Sequence, residues 1–157
     1  MSQEYAGYGF KASDISNEGF LRFMKKHDPD TYRDMVVEKF GYDKCLGILT
    51  EDEHEILAGE AEDWLVFNTH YGFKANYVAN VMCKKTCEGL FYGVDGKYIV
   101  YPPIRFPDDV TEEKRLYIEN RGDLQRIVNN FFPGEEISFG NIWLATPCWA
   151  NPNYYMD

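Results

Sequence analysis

The sequence predicts a single α+β domain over residues 1–157, with N-terminal helices packed on a small, mainly antiparallel sheet. Two observations carry that prediction. Apolar residues recur at helical spacing through the first half, whereas the second half places Asp95-Gly96 between two short apolar runs, the signature of a hairpin over 90–101. A third observation says that the chain folds. Its aromatic residues, 11 Phe, 12 Tyr and 3 Trp, are spread from Tyr5 to Tyr155, unlike the depleted composition of a disordered acidic segment. A domain of this length buries roughly 68–70% of its unfolded surface, enough to stand without a metal or disulfide. No repeat, low-complexity tract or linker marks a domain boundary.

The elements follow in order. Ile15-Ser16 ahead of Phe20 has the spacing of a hydrophobic staple around an N-cap serine, and Phe20, Phe23 and Met24 form one helix face that ends near His27. Asp28-Pro29 is an N-cap followed by proline at the first helical position, and Tyr32, Met35, Val36 and Phe40 recur until Gly41 stops the helix. Thr50 and Glu53 form a capping box for a third helix, whose buried side is expected to carry Ile56, Leu57, Ala61, Trp64 and Leu65, with Gly59 as a possible break.

Leu90–Val94 and Lys97–Tyr101 flank Asp95-Gly96, a two-residue connection suited to a type I′ turn, and Pro102-Pro103 are expected to end the hairpin. Asp123 caps a further helix bearing Leu124, Ile127, Val128 and Phe131, and a last strand falls within 137–145. The segments 73–82 and 114–119 fit either helix or strand, because their apolar runs are too short for periodicity to decide.

Charge narrows the functional classes. Sixteen Lys plus Arg against 26 Asp plus Glu give a net charge of −10, which opposes direct binding to nucleic-acid backbones and anionic membranes. The asymmetry lies in the first half: residues 1–70 hold 15 acids and 7 bases, residues 71–157 hold 11 and 9. Apolar runs are far shorter than the ~18 residues a spanning helix needs. The start, Met-Ser-Gln-Glu-Tyr, lacks the basic and apolar regions of a secretory signal, so a cytoplasmic protein with reduced thiols is expected.

Most apparent motifs fail on their context. Gly7-Tyr-Gly9-Phe-Lys-Ala12 has dinucleotide-fingerprint spacing but is preceded by only six mostly polar residues, and Arg121-Gly122-Asp123 is more simply a helix start. Cys83 and Cys87 are four apart, with His70, Cys45 or Cys148 as further ligands for zinc, yet paired ligand spacing is missing and no metal or cofactor is expected. Lys84 and Lys85 could favour a Cys83 thiolate with His70 as base, which gives the competing class, a small enzyme with a Cys/His or carboxylate site. The acids available to such a site include Asp108-Asp109, Glu112-Glu113 and Glu135-Glu136. The triplet Glu53-His54-Glu55 cannot converge on one atom, since helix neighbours point about 100° apart. The C-terminal rings of Trp143, Trp149, Tyr154 and Tyr155 suit either ligand binding or a core seal.

The third helix carries the functional expectation. With Ile56 at 0°, Leu57, Ala61, Trp64 and Leu65 fall between about 80° and 180°, whereas Glu51, Asp52, Glu55, Glu62 and Asp63 fall between about 220° and 340°. No base occurs from Glu51 to Asp63, so no i, i+4 pair within the helix neutralises the carboxylates. Size, charge and this face point to a non-enzymatic acidic binding protein that blocks a basic, nucleic-acid-processing protein partner, in the manner of phage anti-defence and immunity proteins. Glu51, Asp52, Glu55, Glu62 and Asp63 are its expected contact residues.

Overall fold

The chain opens with a strand that its hydrophobic pattern does not reveal. β1 (Glu4–Lys11) pairs antiparallel with β3 (Tyr98–Phe106) on one side and β4 (Gly140–Ala145) on the other. β2 (Tyr92–Val94) and β5 (Trp149–Ala150) extend the sheet beyond β3, giving the order β4-β1-β3-β2-β5 with every pairing antiparallel. The computed structural model describes residues 4–86, 91–106, 122–145 and 149–150. Within β1, Gly9 is required by close approach: a Cβ there would lie 2.8 Å from the Val100 Cα and closer still to the Ile99 carbonyl oxygen. The fingerprint-like glycines therefore serve strand packing, since they lie inside a strand and no helix N-terminus follows Gly9 directly.

The hairpin forms as expected but with one more residue in its connection. Asp95 and Gly96 have φ of 53° and 68°, and the Lys97 N–H donates to the Val94 carbonyl at 3.0 Å, as a type I′ turn requires. Pairing sets Val94 opposite Tyr98, because the Lys97 carbonyl instead accepts from the Ala12 N–H at 2.8 Å. Leu90, expected to open the hairpin, lies outside the described residues.

Pro102-Pro103 do not end β3, which continues to Phe106. The β1–β3 register shifts between Ala6, opposite Ile104, and Tyr8, opposite Tyr101, and β2 pairs with β3 only as far as Val100. Both prolines thus fall at an irregularity in the ladder, where a missing N–H is tolerated.

The helices largely follow the sequence signals. α1 (Asn17–His27) starts where the Ser16 hydroxyl accepts from the Gly19 N–H at 3.0 Å, with Ile15 and Phe20 both buried as a staple demands. Glu135, from the turn after the last helix, closes this end by accepting from the Ser16 N–H at 2.7 Å and from its hydroxyl at 2.5 Å. α2 (Pro29–Phe40) has proline in its first turn and stops at Gly41, φ 97°. The Asp28 carboxylate does not cap it. Instead it accepts from the Tyr77 hydroxyl at 2.8 Å, and burial, reinforced by the Asp28 charge, pushes that hydroxyl's pKa well above its ordinary value.

α3 (Glu51–Asn68) runs unbroken through Gly59, contrary to the expected division, because its Leu57, Ala58, Ala61 and Leu65 are held in the core on either side of the glycine. α4 (Lys74–Thr86) settles the first ambiguous segment as helix. Tyr77, Val78, Val81 and Met82 are buried around it, so one-face periodicity could not show it. It packs on β2, β3 and α3. α5 (Gly122–Phe131) begins one residue before the expected cap, and residues 114–119 lie outside the described residues.

Between sheet and helices lies one cluster, to which Tyr8, Phe10 and Ile99 contribute from the strands and Phe20, Phe23, Leu57, Leu65, Tyr77 and Val128 from the helices. Phe23 stacks on Phe132 with ring centroids 4.6 Å apart, and Phe20 meets Tyr77 edge-on at 5.8 Å. Among the described residues, no helix is long and apolar enough to cross a membrane.

Gly59 yields a simple expectation. It is exposed in the interior of α3, and a Cβ built there meets nothing within 4 Å. Gly59→Ala should therefore stabilise the protein by about 1 kcal/mol. Chemical denaturation checks this, with an unchanged or lower midpoint as the opposing result.

Candidate functional site

The Thr50 capping box sets the start of α3. The Glu53 N–H donates to the Thr50 hydroxyl at 3.2 Å, and the Thr50 N–H donates to the Glu53 carboxylate at 2.9 Å. That backbone N–H, with the Lys44 ammonium 3.2 Å away, holds the Glu53 carboxyl below its usual pKa. His54 points elsewhere, placing Nε2 2.7 Å from a Glu18 carboxylate oxygen on α1. Glu53 and His54 thus turn to separate partners while Glu55 is exposed, so the triplet does not converge on one position.

The five acids expected on the outer face, Glu51, Asp52, Glu55, Glu62 and Asp63, are all exposed. Lysines from other elements do reach α3, a point that spacing within the helix could not reveal. Lys39 meets Glu60 at 2.6 Å, Lys44 meets Glu53 at 3.2 Å, and Lys74 lies 3.9 Å from Glu62. Glu62 is therefore partly compensated. Glu51, Asp52, Glu55 and Asp63 have no basic group within ion-pair distance among the described residues.

The buried sector of α3 is rotated from the expected one. Leu57, Ala58, Ala61 and Leu65 face inward, while Ile56 is exposed and Trp64 is half-buried, its indole N–H donating to Glu38 on α2 at 2.6 Å. Small Ala58 and Ala61 let α3 lie close to α1, which turns Ile56 outward. Val66 and Phe67 are exposed as well, Phe67 to 85%. Carboxylates thus share the helix surface with Ile56, part-way along it, and with Val66 and Phe67 at its C-terminal end.

No family model, curated protein or solved structure matches this chain.

At the N-terminal end of α3 a groove of about 760 Å³ opens against α1 and α2. Tyr32, Val36, Leu49 and Ile48 supply apolar wall, and Ile48 is 94% exposed. Lys25 stands 5.8 Å above the Tyr32 ring, whose partial burial raises its hydroxyl pKa. Glu51 forms part of the rim, so the groove adjoins the carboxylate face.

The cysteine reading finds little support in the geometry. Cys83 is 1% exposed, and its thiol donates to the Phe91 carbonyl at 3.3 Å while accepting from the Phe91 N–H at 3.4 Å. This packing stitches α4 to the start of β2 and shields the sulfur from substrate. His70 is exposed and stacks on Tyr71. Cys87 and Cys148 lie outside the described residues, as do Asp108, Asp109, Glu112, Glu113, Tyr154 and Tyr155. Trp143 falls in β4 and Trp149 in β5. Among the described residues no group of three His, Cys, Asp or Glu could hold a metal.

Proposed function

We propose that this chain is an acidic binding protein that uses the outer face of α3 to occupy a basic protein partner, one whose positive surface serves nucleic-acid processing. The observation that carries this reading is the combination on one helix: exposed, uncompensated Glu51, Asp52, Glu55 and Asp63 beside exposed Ile56, Val66 and Phe67. A solvated helix has reason to carry acids but little reason to expose a phenyl ring among them. Apolar contact supplies affinity at the centre of an interface, and complementary charge supplies steering and partner choice. From Glu51 to Phe67 the helix extends about 24 Å, long enough to form one side of a standard interface.

The test replaces charge while keeping shape. Glu51→Gln, Glu55→Gln and Asp63→Asn are combined, and Glu62 is left intact because it faces buried Lys74. Wild type and variant are used to capture host proteins at low and high salt. A basic protein retained by wild type at low salt, released at high salt and lost from the variant is expected. Association with that protein should slow about tenfold or more, while folding stability changes by less than about 0.5 kcal/mol. The control variant, Asp34→Asn, Asp43→Asn and Glu136→Gln, alters exposed acids elsewhere and should bind as wild type does. Equal capture by wild type and the α3 variant, or no basic protein retained by wild type, would sink the proposal.

A further inference from the structure

A second groove, of about 770 Å³, lies between the end of β1, the approach to α1, Glu62 of α3, the start of α4 and the hairpin turn. Its charge is opposite to that of the molecule. Lys11, Lys74 and Lys97 line it against Glu62, and the Glu135 carboxylate bonded to Ser16 in its wall adds a second negative charge, which leaves a formal excess of one positive charge in a chain whose net charge is −10.

Lys74 is the unusual member, at 6% exposure one of the two buried polar side chains among the described residues. Its ammonium donates to the Ile15 carbonyl at 3.0 Å, lies 3.9 Å from a Glu62 oxygen and sits 5.4 Å from the centre of the Phe20 ring. An ammonium has three N–H donors. The Ile15 carbonyl takes one, and Glu62 is beyond hydrogen-bond reach, so two remain without a protein acceptor among the described residues. Burial lowers the Lys74 pKa, against the opposing pull of Glu62 and Glu135.

Burying an ammonium costs free energy unless acceptors and counter-charge are supplied. Here both are incomplete, and the two exposed lysines, Lys11 and Lys97, have no carboxylate within ion-pair distance among the described residues. The N-terminus of α1 does not contribute, since Glu135 already occupies it.

We propose that this groove binds the phosphate monoester group of a small soluble molecule, with Lys74 at its floor and Lys11 and Lys97 at its mouth. A phosphate monoester carries about −1.5 to −2 charges at neutral pH and three acceptor oxygens, supplying both counter-charge for the three lysines and acceptors for the free donors. Lysine binds phosphate as a point charge and needs no bidentate alignment. The groove is far larger than a phosphate, leaving room for a polar body beside Tyr98 and Asn17. The molecule's net charge disfavours an anionic membrane as the source of the group.

The full chain is titrated with glycerol 3-phosphate, inorganic phosphate and glycerol, followed by calorimetry and by backbone amide shifts. Saturable one-to-one binding of glycerol 3-phosphate is expected, with shifts centred on Ala12–Asn17, Lys74 and Lys97. Tighter binding of the ester than of phosphate supports a phosphorylated small molecule, and equal or tighter binding of phosphate overturns the ester in favour of the free ion. Lys11→Gln with Lys97→Gln, both at the surface, should weaken binding about tenfold or more without altering the fold. Lys74→Met should abolish binding and leave the melting temperature unchanged or raised. If that variant fails to fold, the surface double variant decides alone. Absence of saturable binding, shifts confined to other residues, or unchanged affinity in the double variant would overturn the proposal.

Discussion

Gly9→Ala is expected to cost about 3 kcal/mol or more, lowering the melting temperature by about 6–12 °C for a domain of this size. Gly9 sits in an interior strand, held between Val100 of β3 and Gly140 of β4. An added methyl group would meet backbone on β3, namely the Ile99 carbonyl and the Val100 Cα, and backbone cannot rotate aside as a side chain can. Relief requires β1 and β3 to separate, which would break ladder hydrogen bonds and withdraw Phe10 and Ile99 from the core. Gly140, directly across on β4, is the control, because a Cβ there meets nothing within 4 Å. Gly140→Ala should leave the melting temperature nearly unchanged. Thermal unfolding followed by circular dichroism distinguishes the two, and equal melting of the Gly9 variant and wild type would remove β1 from its place between β3 and β4.

Phe23→Ala is expected to cost about 4 kcal/mol, near the middle of the range for truncating a buried aromatic ring. The ring is 1% exposed and ties α1 to two other helices and the turn after α5. It stacks on Phe132 at 4.6 Å, meets Phe131 and Tyr77 edge-on at 6.0 and 6.4 Å, and lies 5.2 Å from the His27 ring. No neighbour can fill the space, because Tyr77 is anchored through its hydroxyl to Asp28. Phe23→Leu retains most of the volume and should recover at least half of the loss. Urea unfolding measures both, and a cost below about 1.5 kcal/mol for the alanine variant would show that the site collapses freely.

The helical half of the fold was legible because its signals are local. Ser16, Pro29, Gly41 and the Thr50–Glu53 box fix helix ends through contacts within a few residues, and the structure places those ends accordingly. What stayed hidden depends on distant partners. Half of β1 is glycine and tyrosine, and its glycines have meaning only against the backbone of β3 about 90 residues away. β3 runs on through two prolines because β1 is irregular opposite them. α4 is buried around its circumference, which erases the one-sided pattern by which a helix is recognised.

The candidate face shows the same division. That Glu51, Asp52, Glu55, Glu62 and Asp63 lie together on the outside follows from helix geometry alone, and all five are exposed. That Ile56 joins them, that Lys74 approaches Glu62 and that Glu53 and Glu60 are taken up by Lys44 and Lys39 depends on how α3 packs. Lys74 itself gave no signal in the sequence, since a lone lysine at a helix start is usually solvated.

The most direct test of the binding role is hydrogen exchange of the complex with the basic partner captured at low salt. Protection gained across α3, Glu51–Asn68, together with the Ile48–Thr50 approach, is the predicted footprint, and it should shrink in the Glu51→Gln, Glu55→Gln, Asp63→Asn variant. Protection confined to the strands, or to the lysine-lined groove around Lys74, with α3 exchanging as it does in the free protein, would contradict it.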